Sequence, residues 1–106
     1  MSDKKIVLTT AGTREEAGKI ARALVERQLA ACVNVVAVDS VYRWKEKLEN
    51  AQEWLLLIKT VSAAFDDVEG AIKELHSYEL PECVVVSIEG GSEEYLDWLA
   101  DNVDVG

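Results

Sequence analysis

The order of apolar periodicities along the chain is its strongest constraint. A β-branched run, Lys4 to Thr10, ends in Ala11-Gly12 and gives way to a helical pattern at Ala17, Ile20, Ala21, Leu24, Val25 and Gln28. Thr13 and Glu16 have the spacing of a capping box, in which each side chain bonds the other's backbone N–H. Cys32 to Lys45 is again β-type, with a bend expected near Asp39-Ser40. Residues 46–52 are polar and turn-like, and Glu53 to Val61 returns to strand. Ser62 is placed to cap a second helix, with Asp66 and Asp67 in its first turns, where the dipole favours anions. Phe65, Val68, Ile72 and Leu75 line one face of it. A loop from Ser77 to Glu82, stiffened by Pro81, leads to a fourth strand, Cys83 to Glu89. Gly90-Gly91 then precede a last helix, capped by Ser92 and packed through Tyr95, Leu96, Trp98, Leu99 and Val103.

The resulting order, β-α-β-β-α-β-α, predicts an α+β fold over 1–106 as a single domain. Its first six elements match the ferredoxin-like βαββαβ sandwich, with both crossover helices on one face of an antiparallel sheet, followed by an extra C-terminal helix. The expected strand order is 4-1-3-2, which puts the second and fourth strands on opposite edges. Cys32 and Cys83 open those two strands, roughly 14 Å apart at about 4.8 Å per step. That is beyond disulfide reach, and it excludes both thiols from one metal site within a subunit.

The long β2–β3 hairpin, residues 32–61, carries Tyr42, Trp44 and Trp54. At about 3.3 Å per residue its arms outreach a core of this size. Extended apolar edges are aggregation hazards that stable proteins cover, so a homo-oligomer is expected, with the hairpin lying over a neighbour's sheet.

The formal net charge is −9, and its distribution is uneven. All eleven Lys and Arg lie in residues 1–73 with eleven of the acids, whereas the chain after Lys73 carries nine acids and no Lys or Arg. No nucleic acid and no membrane partner is expected, because both surfaces are recognised by clustered cations. The chain lacks G-x-S-x-G, the Walker A pattern and G-x-G-x-x-G, and it has a single histidine. No apolar stretch is long enough to span a bilayer and no signal-peptide pattern opens the sequence, so a cytoplasmic protein is expected. With two cysteines and no C-x-x-C pair, neither a disulfide framework nor a structural zinc site is predicted. His76, at the end of the second helix, suits capping or packing. As an imidazole it also suits a transition metal, with Glu79 and Glu82 nearby as oxygen ligands.

Several blocks resemble the CutA family of divalent-cation-tolerance proteins. They are A-x-x-x-A-x-x-L-V-x-x-x-L-A-A-C-V-N (Ala17 to Asn34), S-V-Y-R-W-K (Ser40 to Lys45), E-x-L-L-L-I-K-T (Glu53 to Thr60), E-L-H-x-Y-E-x-P-E (Glu74 to Glu82) and E-Y-L-D-W-L (Glu94 to Leu99). The resemblance implies a ferredoxin-like subunit, a compact homotrimer joined through the long hairpins, and a cytoplasmic role in tolerance of copper and other divalent metals. It implies no reaction, so the chain is read as a non-enzyme with no obligatory cofactor. Weak binding of Cu(II) or another divalent cation is expected, with Cys32, His76 and Glu79 as the matching positions able to ligate. The sequence departs from the family where Ala37 and Ser77 stand for proline and Glu46 for glycine. An alternative is a trimer that senses a small molecule or nucleotide, like the nitrogen-regulatory proteins. It requires basic cleft residues such as Arg14, Arg43 or Lys59. An acylphosphatase-like enzyme on the same fold ranks last, because that family's glycine-rich, arginine-containing loop is missing.

Overall fold

The computed structural model describes residues 3–104. Its elements are β1 (Lys4–Ala11), α1 (Arg14–Glu26), β2 (Cys32–Trp44), β3 (Lys47–Val61), α2 (Phe65–Leu75), β4 (Val84–Ser87) and α3 (Glu93–Asp101). The four strands form one antiparallel sheet in the order β2-β3-β1-β4, which is the expected ferredoxin-like arrangement.

Strand alternation divides the sheet into two unlike faces. Val7, Thr9 and Ala11 of β1 stand beside Ile58, Leu56 and Trp54 of β3, and on this face α1 and α2 cover them. Here the core forms. Ile20 and Leu24 of α1, Ile72 of α2, Leu99 of α3 and Leu56 and Ile58 of β3 are completely buried. Each contributes about 1.5–3 kcal/mol through lost contact with water. On the other face, Ile6 and Leu8 of β1 and Leu55 and Leu57 of β3 are only half-buried. Val36 on β2 and Val84 and Val86 on β4 are exposed on the same side. An apolar sheet face therefore stands open, flanked by two open edges.

The hairpin differs from expectation at its turn. Pairing runs unbroken from Cys32↔Lys59 to Trp44↔Lys47, so the chain reverses in two residues, Lys45 and Glu46, and not over residues 46–52. Both have positive φ, 51° and 67°, as a tight primed turn requires. Residues 41–48 are exposed on both sides, so the apolar alternation that marks a strand in sequence is missing there although the ladder is complete.

Three other boundaries are corrected. Ser62 does not cap α2: it starts a 3-10 turn, Ser62–Ala64, and its hydroxyl donates to the Asp3 carbonyl. The N-cap is Ala64, which has no side chain to offer, while Asp66 and Asp67 do occupy the first turn. β4 begins after Cys83 and ends at Ser87. Ser92 caps α3 by accepting from the Tyr95 N–H, but only Leu99 and Val103 of its predicted packing face are buried. Tyr95 and Trp98 are exposed and stack on each other at 5.5 Å.

Candidate functional site

Thr13 begins α1 as expected, accepting from the Glu16 N–H, but Glu16 does not return the bond. Its carboxylate instead accepts from the Ser77 N–H at 3.2 Å and the Ser77 hydroxyl at 3.1 Å. The start of α1 thus fastens the loop that follows α2.

His76 lies beneath that loop with its side chain fully buried. A backbone N–H can only donate, so the Tyr78 N–H at 3.1 Å makes Nδ1 an acceptor. The proton therefore sits on Nε2, which donates to the Thr10 carbonyl at 2.6 Å. Nδ1 also lies 3.3 Å from Glu16 Oε1, so both nitrogens are engaged and the ring joins the end of β1 and the start of α1 to the loop.

Tyr78 carries the connection to β3. Its hydroxyl donates to Glu53 Oε2 at 2.6 Å, and Glu53 is only 5% exposed. The phenol passes so close to Gly12 that a Cβ there would meet its oxygen at 3.1 Å. Burial, and then the hydrogen bond to Glu53, pushes the Tyr78 ionisation well above the ordinary tyrosine range. Loss of hydration raises the Glu82 carboxyl too, with the Glu53 charge as a second cause.

Loop and hairpin together enclose a cleft of about 680 Å³, within the span of small-molecule sites. Tyr42 and Trp44 wall it on the hairpin side, Glu79, Leu80 and Glu82 on the loop side, and Glu53 lies at its base. The Lys45 ammonium stands over the Trp44 ring, 5.7 Å from its centroid. Lys45 is the single basic side chain lining the cleft; Arg14, Arg43 and Lys59 are not among its walls.

Of the predicted ligating positions, Glu79 lines this cleft and His76 is buried under it. Cys32 lies at the outer edge of β2, paired in register with Lys59. One subunit does not bring the three together. Among the described residues no group of three or more His, Cys, Asp and Glu side chains is placed to hold a metal ion. Glu53 and Tyr78 were not singled out from sequence. The available signal was a carboxylate opening an apolar strand, E-W-L-L-L-I, where a buried acid must find a donor.

The chain matches the family model described as CutA1 divalent ion tolerance protein over residues 5–102. The divalent-cation tolerance protein CutA of Thermus thermophilus is 47% identical over 100 residues, covering 93% of this chain and 97% of that one. Among solved structures, the periplasmic divalent cation tolerance protein CutA of Archaeoglobus fulgidus superposes with a TM-score of 0.93 at 39% identity, covering 95% of this chain and 99% of its own. The PII-like protein CutA of Nostoc sp. PCC 7120, in apo form, gives 0.90 at 36% identity, covering 96% and 99%.

Proposed function

For a chain that belongs to the CutA1 divalent-ion tolerance family, we propose a homotrimer that responds to divalent cations by binding them weakly where subunits meet. The observation that carries this reading is the uncovered apolar sheet face. Ile6, Leu8, Leu55, Leu57, Val84 and Val86 lie together on the face turned away from the core, half-buried or exposed. Burying such a surface stabilises association by about 25 cal/mol per Å², and a second copy offers the same face and two free strand edges.

A cation site made between copies suits the dispersed candidates. Glu79 is exposed at the cleft and is the accessible oxygen ligand. Cys32, on the outer edge of β2, comes within reach of another copy's residues when that edge is paired. His76 supports the loop from below, because both of its nitrogens are engaged. The two cysteines are free, which suits a reducing compartment, and we place the protein in the cytoplasm on that ground.

Sedimentation should show a trimer at micromolar concentration, and calorimetric titration should show weak Cu(II) binding that Glu79→Gln and Cys32→Ser each reduce. A monomer, or Cu(II) binding indifferent to both substitutions, overturns the reading. Nucleotide sensing finds less support, since a cleft based on Glu53 and rimmed by Glu79 and Glu82 repels phosphates.

A further inference from the structure

We propose that α3 is the seat on which the hairpin end of a second copy of this chain docks, an inference that rests on the trimeric reading. Two surfaces left uncovered within one subunit match in character and charge. α3 turns Leu99 into the core and leaves Tyr95 and Trp98, 44% and 45% exposed, stacked at 5.5 Å on its outer side. Residues three and four apart share a helix face, so Glu94 and Asp101 flank the Trp98 ring at i−4 and i+3. Neither carboxylate has an ion-pair partner among the described residues, and no Lys or Arg follows Lys73 to supply one nearby in sequence. The hairpin end carries what this face lacks. Pairing sets Arg43 directly against Leu48, and strand alternation puts Val41 on the same face of the ribbon. Val41 and Leu48 are 65% and 70% exposed within one subunit, and Arg43 is exposed with no acid to pair with among the described residues.

This contact is distinct from the open sheet face, because Arg43 and Leu48 stand on the side of the ribbon opposite Leu55 and Leu57. It is also heterologous. Two α3 helices meeting face to face would set carboxylate against carboxylate, whereas α3 against a hairpin end sets Arg43 between Glu94 and Asp101. The Trp98 indole offers the same guanidinium a cation–π face, and Tyr95 covers Val41 and Leu48. Trp, Tyr and Arg are the side chains that carry most of the energy of such contacts. Head-to-tail contacts close into a ring when the rotation permits, so one contact repeated around a trimer covers every aromatic pair and every hairpin end. The acids repel an anionic membrane or a nucleic acid. A cationic peptide from elsewhere suits the charge, but it competes with an Arg43 already held at high effective concentration by the assembly.

The test uses the full chain in its native assembly. Subunit exchange between isotopically light and heavy trimers is followed by native mass spectrometry, and the Trp98 indole N–H signal by NMR. Trp98→Ser and Arg43→Glu should each speed exchange by at least about tenfold, since interface changes act mainly on dissociation. Glu94→Lys with Asp101→Lys should do the same. Combining that pair with Arg43→Glu reverses both charges and should return exchange to within about threefold of the wild type. Trp98 and Arg43 are exposed in the subunit, so these variants should keep the wild-type circular dichroism. Arg43→Glu should also shift the Trp98 indole signal, although the two residues lie on elements that do not adjoin in sequence. Unchanged exchange in Trp98→Ser and Arg43→Glu, or no rescue by the charge reversal, overturns this seat while the wild-type trimer stands. Saturable binding of hexalysine at Trp98 of the wild-type trimer would show the face open in the assembly and overturns it too. A monomeric wild type removes the trimeric reading itself, so the two failures are separable.

Discussion

The Tyr78 hydroxyl donates to Glu53 Oε2 across 2.6 Å, and this bond ties the loop after α2 to β3. Glu53 is nearly buried, so the bond holds both a backbone position and a charge. Removing the donor leaves the carboxylate desolvated with nothing to offset it, which is more expensive than never having made the pair.

Tyr78→Phe should therefore destabilise the fold by about 2 kcal/mol in denaturant melts. The double variant with Glu53→Gln should lose less than the sum of the two single losses. Unchanged stability in Tyr78→Phe would contradict the role assigned to this bond.

The same tyrosine makes a pH prediction. Its folded ionisation lies above the ordinary value of 10.0, so between the two values the native state keeps a proton that the unfolded chain has released. Its contribution is complete below pH 10 and is lost as pH rises beyond it. Spectrophotometric base titration should show one of the three tyrosines ionising late, and Tyr78→Phe should remove that late step and flatten the alkaline loss of stability.

His76 joins the Thr10 carbonyl to the Tyr78 N–H from a fully buried position. His76→Ala leaves both groups unpaired and opens a cavity, and should cost about 3 kcal/mol. Nitrogen-detected NMR of the wild type should find the proton on Nε2; a proton on Nδ1 would reverse the donor assignment made here.

Glu46 holds a φ of 67° in the hairpin turn, a conformation that penalises a side chain by about 1–2 kcal/mol relative to glycine. Glu46→Gly should raise the midpoint of unfolding, with little effect on the cleft chemistry. A lowered midpoint would mean that the Glu46 side chain makes a compensating interaction.

Gly70 lies in the interior of α2, exposed, and a Cβ there would meet nothing within 4 Å. Gly70→Ala should stabilise the protein by about 1 kcal/mol through helix propensity alone. Chemical denaturation is a sufficient check, and no gain would mean that this helix is not where the chain resists unfolding.

Much of the architecture was legible from local signals. Thr13 and Ser92 marked helix starts, and Ile20, Leu24, Val68 and Ile72 marked the faces that the sheet buries. These are short-range statements: a cap, a period of 3.6, a break at glycine. Ser62 shows their limit, since its hydroxyl could serve α2 or the Asp3 carbonyl, and the choice depends on a residue 59 positions away. The hairpin turn escaped for another reason. Residues 47–52 pair in a ladder whose half-buried positions are Glu49 and Ala51 and whose Leu48 is exposed, so its burial is not written as an apolar alternation.

What the amino-acid order determined by itself is the succession of elements, and with it the strand order, because right-handed crossovers and hairpin connectivity leave few other ways to cover one face of such a sheet. What only the tertiary structure decided is the meaning of the polar residues. Glu16, His76, Tyr78 and Glu53 are spread from α1 to the loop beyond α2, and no spacing rule relates them. Folding brings them into contact beneath one cleft. There the burial of His76 and Glu53 turns a first-turn glutamate, a lone histidine and a strand-opening acid into a connected set of hydrogen bonds, since buried polar groups must find partners when solvent cannot reach them.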